Sequence, residues 1–319
     1  MSSKNDRLPD FLIIGAGKSG TTAVFYFLAQ HPDIFIPKHK EPNFFALEGV
    51  SLDSYELEES KAYHRRSIDT YEDYIKLFEE AGAHQIVGEN SNMYLMSEQA
   101  IEKILKYVPN AKLIAILRHP ADRLISRYNH LVRDNSVPEG GIEKVFDQNS
   151  IWWKRPDLVP EGFYGRHLEK YVNAFPSEQL MVVLYDDFKA DGDGEIRKMF
   201  DFLGVSSDFE PNTEMVLNKS GKLKDNMFNK LLGQDGALIR GSKKVFPDFH
   251  TKLKSNGWVK KLLMDWRNKN IEKVELPADI RQRITDEIYK EDIMLLEKLL
   301  NRSLKHWYKP QSTAPSNVE

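Results

Sequence analysis

Residues 10–25, Asp-Phe-Leu-Ile-Ile-Gly-Ala-Gly-Lys-Ser-Gly-Thr-Thr-Ala-Val-Phe, leave this chain little choice of architecture. Phe11 to Ile14 read as a strand buried on both faces, Gly15, Gly17 and Gly20 as a tight turn, and the apolar stretch from Thr21 as the start of a helix. Such a turn is a cradle for an anion. Glycines let the backbone come close, and the N–H groups and dipole of the following helix favour negative charge.

Three ligand readings compete for the turn. Gly15-x-Gly17-x-x-Gly20 fits the dinucleotide fingerprint of a Rossmann-type oxidoreductase, with strand before and helix after. The acidic residue that fingerprint wants is represented only by Glu41, which follows Pro37-Lys-His-Lys rather than a second apolar strand. Against the P-loop G-x-x-x-x-G-K-[ST] of a nucleotide or metabolite kinase, Gly15 and Gly20 fit, but Thr21 holds the lysine position and Lys18 lies inside the loop. A turn without a ligand is the bland alternative.

The third reading joins two segments. Lys18-Ser-Gly-Thr-Thr and Arg118-His-Pro-Ala-Asp-Arg-Leu-Ile-Ser-Arg-Tyr together resemble the two nucleotide motifs of sulfotransferases that use 3′-phosphoadenosine 5′-phosphosulfate (PAPS). The stretch 112–117 reads as a strand ending at Arg118, and Pro120 suits the first turn of a helix that places Ser126 about two turns in. The resemblance implies that Arg118 and Ser126 hold the 3′-phosphate. It also implies that Lys18, Ser19, Gly20, Thr21 and Thr22 hold the 5′-phosphosulfate. Arg123, Arg127 and Arg133 read as a solvated helix face.

Further segments extend the likeness from about residue 10 to 307. Lys40-Glu-Pro-Asn-Phe-Phe resembles the segment that carries the catalytic carboxylate in the heparan-sulfate-type and bacterial branch, which makes Glu41 the base. Gly88-Glu-Asn-Ser-Asn-Met-Tyr-Leu departs from the pattern, because Asn90 stands where heparan-type enzymes carry a second lysine. Glu89 reads equally as a site carboxylate or as the structural partner of an arginine. Asn218-Lys-Ser-Gly-Lys-Leu-Lys resembles a basic loop that closes over the nucleotide, with Lys222 and Lys224 as point charges. In the scheme this implies, Lys18 neutralises the departing bridging oxygen and Glu41 deprotonates the acceptor. It calls for no metal, and the sequence has no H-E-x-x-H and no cysteine.

The fold implied is α/β, a P-loop-like three-layer sandwich with a central parallel sheet. Strands are expected at 11–14, 34–36, 86–89, 112–117 and 180–185, with helices at 21–30 and 164–174 and a C-terminal helical region carrying Ile280, Ile284, Ile288 and Leu295 to Leu300. Asp186 and Asp187 read as caps of the next turn. The 319 residues, 41% hydrophobic, suffice for one domain over 10–308 with disordered tails at 1–9 and 309–319. Without a signal core or an apolar run of about 18 residues, a cytoplasmic enzyme without membrane contact is expected. A net charge of −3 gives no footprint for nucleic acid, despite the basic and aromatic stretch 240–261.

The acceptor is read from charge. Glu48, Asp53, Glu56, Glu58 and Glu59 follow the base, which favours a small polar, neutral or cationic natural product over a polyanion, with a glycan or glycolipid as the alternative. The Gly- and Pro-rich stretch 137–165, holding Trp152 and Trp153, is a candidate acceptor lid. Neither O- against N-sulfation nor the oligomeric state is written in the sequence.

Overall fold

The computed structural model describes residues 7–134, 136–212, 222–223, 271–272, 276–277 and 279–308. Lys224, the stretch 240–261 and the tail 309–319 lie outside the described residues, as do the first six residues of the N-terminal tail. The chain divides into two compact units, one comprising 1–125, 142–215 and 278–319 and the other 126–141 and 216–277.

The first unit is built on a five-stranded sheet in the order β2-β3-β1-β4-β5. The strands are β1 (Phe11–Gly15), β2 (Ile34–Phe35), β3 (Ile86–Asn90), β4 (Lys112–Leu117) and β5 (Leu180–Leu184), all paired in parallel. Every residue of β1 is buried, as an unbroken apolar run between two helical layers requires. The helices are α1 (Thr21–Leu28), α2 (Phe44–Leu47), α3 (Glu58–His64), α4 (Tyr71–Lys76), α5 (Glu98–Tyr107), α6 (Pro120–Arg133), α7 (Ile151–Lys154), α8 (Tyr164–Ala174), α9 (Tyr185–Ala190) and α10 (Gly192–Leu203). The expected strands and helices are present to within a residue or two. The helix at 21–30 stops at Leu28, where Ala29 and Gln30 turn the chain toward His31-Pro32.

One core layer joins Val24, Phe25, Phe27 and Leu28 of α1 to Phe11 and Ile13 of β1 and to Ile196, Met199, Phe200 and Leu203 of α10. Another is aromatic: Phe44 stacks on Tyr74 at 4.3 Å between ring centres, and Tyr171 of α8 donates to the carbonyl of Tyr94 at 2.7 Å. Asp186 and Asp187 fall in the first turn of α9, and Asp186 accepts from the Trp307 indole at 2.7 Å while Asp187 pairs with Arg302. These two carboxylates fasten the C-terminal segment rather than capping the turn, since α9 has Leu184 at its N-cap and no side-chain cap. That segment runs through Ile280–Ile284, a π-helical turn at Thr285–Tyr289 and the helix Lys290–Leu300, with Ile280, Ile284 and Leu296 buried.

In the second unit, Lys222–Leu223 pair antiparallel with Ile271–Glu272, so Lys222 belongs to a short strand rather than to an open loop. Helix α6 starts in the first unit, and from Ser126 onward it belongs to the second. Among the described residues no helix is long and apolar enough to cross a membrane.

The sheet is packed tightly enough to make one glycine obligatory. A Cβ on Gly88 of β3 would lie 2.1 Å from the ring of Phe11, which is fully buried in β1. Gly88→Ala is expected to cost at least about 1–3 kcal/mol through overpacking, read as a fall in the denaturant midpoint at unchanged m.

Candidate active site

β1 and β4 are neighbours, yet the chain leaves β1 toward β2 on one side of the sheet and leaves β4 toward β5 on the other. The C-terminal edge of such a sheet opens a crevice where ligands bind. The turn after β1 lies there, and the residues after β2, β3, β4 and β5 leave from the same edge.

Gly20 caps α1 in the left-handed conformation, φ 101°, and no side chain caps the helix. Ala23 and Val24 donate to the Gly20 carbonyl, the first bonds of the helix, so the N–H groups of Gly20, Thr21 and Thr22 have no intrahelical acceptor. No acidic residue occupies the first turn. The arrangement suits an anion. Lys18, half-buried, adopts φ 68°, a conformation that costs a non-glycine residue about 1–2 kcal/mol and commonly marks a functional position. Ser19 is fully buried, and neither its Oγ nor the Oη of buried Tyr164 makes a well-formed hydrogen bond. Two buried hydroxyls with bonding capacity unspent beside an electropositive loop fit a phosphosulfate group. Arg118, at the end of β4, reaches the Lys18 carbonyl at 3.5 Å and lies over the ring of Tyr185 at 5.1 Å. The φ of 101° favours glycine at position 20, and a Cβ there would also crowd that ring at 3.2 Å.

Glu41 also sits in the left-handed region, φ 52°, and its N–H donates to the Asn90 carbonyl at 3.0 Å, so the segment is fastened to the end of β3. Its carboxylate is aimed by two donors, Tyr63 Oη on Oε2 at 2.6 Å and Asn92 Nδ2 on Oε1 at 2.8 Å. Burial and the Glu41 charge push the Tyr63 phenol well up, so it stays protonated and donating. Asn43, at φ 56°, braces the turn by donating to the Glu41 carbonyl at 2.7 Å. Tyr63 and Asn92 did not stand out in the sequence. Asn92 lies within the segment already singled out, but the contact from Tyr63 in α3 is made by tertiary folding alone.

Glu89 and Asn90 end β3 and are both buried. Asn90 Oδ1 has no partner. Glu89 does not pair with an arginine: it accepts from Tyr74 at 3.2 Å and from Ser91 at 2.8 Å, and Ser91 in turn accepts from the Asn43 N–H at 2.9 Å. Trp152 is wholly buried, while Trp153 is half-buried and donates to the Val145 carbonyl at 2.8 Å. From Ile142 onward the expected lid segment buries Ile142, Val145, Leu158 and Val159.

Arg123 corrects the reading of a solvated helix face. It is fully buried and donates to Glu161 Oε2 at 2.6 Å and to the Asp157 carbonyl at 3.1 Å, as well as to the Leu158 carbonyl. Glu161 Oε1 accepts the N–H of Gly17 at 2.6 Å. The signal was legible only in part, because a helical arginine shows no burial until its partner 38 residues away is known. Of the other arginines, Arg127 bonds His130 at 2.9 Å and Arg133 pairs with Asp134 at 2.9 Å.

Burial pushes the Glu89 carboxyl up from 4.5 to about 7. The folded protein therefore holds this proton more tightly than the unfolded chain. The stabilisation is complete below about pH 4.5 and is lost as pH rises through about 7, on the order of 3 kcal/mol at 1.36 kcal/mol per unit. Glu89→Gln is expected to remove this component, so that its unfolding free energy falls less than that of the parent between pH 4.5 and 7.5.

A model of the sulfotransferase family matches residues 9–211. The chain is 30% identical over 209 residues to human bifunctional heparan sulfate N-deacetylase/N-sulfotransferase 3, covering 63% of this chain and 23% of that protein. The Xenopus laevis protein named bifunctional heparan sulfate N-deacetylase/N-sulfotransferase 1 is 28% identical over 281 residues, 84% of this chain and 29% of that one. The chain therefore spans roughly a quarter of the length of these curated relatives. The crystal structure of a sulfotransferase from Alicyclobacillus acidocaldarius aligns with a TM-score of 0.64 at 25% identity, over 95% of this chain and 100% of that one. The matched region holds β1 to β5 with the turn after β1, Glu41 and Arg118, and with it the chain belongs to the family of PAPS-dependent sulfotransferases.

Proposed function

We propose that the protein transfers the sulfuryl group of PAPS to a hydroxyl or amine of a small polar acceptor, with Glu41 as base and Lys18 on the leaving group. The observation that carries this reading is the pairing of two left-handed residues on one sheet edge, a lysine inside an anion cradle and a carboxylate aimed by two donors.

The loop N–H groups from Ser19 to Thr22, with the Thr21 and Thr22 hydroxyls, hold the 5′-phosphosulfate. Arg118 and Ser126 take the 3′-phosphate, and Lys222 and Lys224 add positive charge over the nucleotide. Glu41 accepts the proton of the acceptor as its oxygen or nitrogen bonds to sulfur. Lys18 meets the electron pair that returns to the bridging oxygen as the sulfur–oxygen bond breaks. Such a loose in-line transfer is catalysed by positioning and electrostatics. With asparagine at position 90, Lys18 carries more of the charge stabilisation than where a second lysine stands.

For the acceptor we favour a neutral or cationic molecule, with Glu89, Asn90, Trp152 and Trp153 as the residues first assigned to it. Glu89, Asn90 and Trp152 are all buried, which makes half-buried Trp153 the better candidate for direct contact, and Asn90 is of interest for its Oδ1 without a hydrogen-bond partner. The acidic insertion supports this choice less strongly than its composition suggests, because Glu48 pairs with Lys103 and Glu58 with Arg65. A glycan amine is the second reading. It is favoured by the likeness to proteins named heparan sulfate N-sulfotransferases.

Calorimetry is expected to show tighter binding of 3′-phosphoadenosine 5′-phosphate (PAP) than of adenosine 5′-phosphate; equal affinity would remove Arg118 and Ser126 from the site. Lys18→Ala should lower turnover at least about a hundredfold, on the scale of losing one oxyanion donor. Glu41→Gln should lower turnover comparably while leaving PAP affinity nearly intact, and near-normal turnover would place the base elsewhere. A matched panel of a heparan-like oligosaccharide, a neutral alcohol and an amine-bearing metabolite decides the acceptor class, preferred turnover of the oligosaccharide establishing the second reading.

A further inference from the structure

A loop that binds an anion is expected to keep its N–H groups for the ligand. Here the N–H of Gly17, immediately before Lys18, is given to the carboxylate of Glu161 at 2.6 Å, across 144 positions of sequence. The approach is so close that a Cβ at position 17 would lie 2.8 Å from Glu161 Oε1. A side chain at position 17 would therefore displace the Glu161 carboxylate from this contact, independently of any ligand.

Glu161 is 4% exposed. A buried carboxylate against an anion cradle would oppose the donor unless its charge were met, and Arg123 meets it, at 2.6 Å with its own side chain fully enclosed. Buried ion pairs are seldom net sources of stability, because desolvation of both charges offsets their attraction. What this pair does supply is direction. Glu161 fixes the Ala16–Gly17 peptide before Lys18 while Lys18 holds its left-handed conformation, and the Lys18 carbonyl, in the peptide that follows, accepts from Arg118.

We propose that Glu161 is a positioning residue that holds the Ala16–Gly17 peptide, the link that leads into Lys18, so that the Lys18 ammonium is aimed at the bond being broken, and that Arg123 is the counter-charge that keeps the loop attractive to the donor. The proposal rests on the site reading above, and its test is separable from that reading. The two residues have opposite signatures. Glu161→Gln removes negative charge but spoils the aim, so PAP affinity stays within about threefold of the parent while turnover falls by about tenfold or more, the scale of a misplaced catalytic group. Arg123→Met takes the positive charge away from the carboxylate beside the loop, so PAP affinity falls by tenfold or more at 1.4 kcal/mol per decade. In the double variant Arg123→Met/Glu161→Gln the charge is gone, and PAP affinity recovers to within about threefold while turnover stays low.

The measurements are PAP titration by calorimetry, PAP release from PAPS with the acceptor that the panel identifies, and thermal unfolding of each variant. Recovery of binding in the double variant decides the electrostatic half without any acceptor. If Arg123→Met does not fold, the comparison is made between Glu161→Gln and the double variant, which share a neutral residue 161 and are expected to bind PAP alike. A Glu161→Gln variant with unchanged turnover overturns the positioning role, as does one that loses turnover and PAP affinity in step. A double variant that binds no better than Arg123→Met overturns the counter-charge role. A parent protein that does not distinguish PAP from adenosine 5′-phosphate overturns the site reading instead.

Discussion

The parallel pairing of β1 with β3 on one side and β4 on the other is the constraint from which the rest of the molecule follows. The chain leaves β1 toward β2 on one side and leaves its neighbour β4 toward β5 on the other, so neither of these connections roofs the edge between them. The turn after β1 is thereby left open, and the ends of β3 and β4 come up beside it. Glu41 is joined to that edge by one backbone hydrogen bond to Asn90, and Arg118 leaves from the end of β4. The chemistry is held by main-chain geometry first and by side chains second.

Local strain is concentrated where the chemistry is assigned. Lys18, Glu41 and Asn43 all occupy left-handed backbone, and each is over-determined by its surroundings. Arg118 meets the Lys18 carbonyl, and Asn43 bonds the Glu41 carbonyl while receiving Ser91 at its own N–H. Glu89 stands behind Ser91, so a buried carboxyl with a raised affinity for its proton underlies the segment that carries the base.

Most of the scaffold was legible because its signals are local. Phe11–Gly15 is an apolar run, Lys112–Leu117 ends at a proline-led helix, and Tyr164–Ala174 carries its buried positions at helical spacing. Lys18 and Glu41 were found because each lies in a short contiguous motif. What escaped was whatever depends on distant partners. Arg123 looked like one of several solvated arginines until Glu161 was brought to it, and Glu89, read equally as a site carboxylate or an arginine's partner, is met by hydroxyls such as those of Tyr74 and Ser91. The charge of the acidic insertion was overestimated for the same reason, since its neutralising lysine at position 103 is remote in sequence.

Tyr63 gives α3 a second duty under the proposed function. The helix that begins at the end of the acidic stretch 47–59 supplies one of the two donors that orient Glu41. A lineage that rebuilds α3 to admit a different acceptor must therefore rebuild it around one fixed phenol, or replace that phenol at the same time. On that reading selectivity and reactivity share a single piece of chain, so the routes to a new substrate are narrower than the openness of the sheet edge implies.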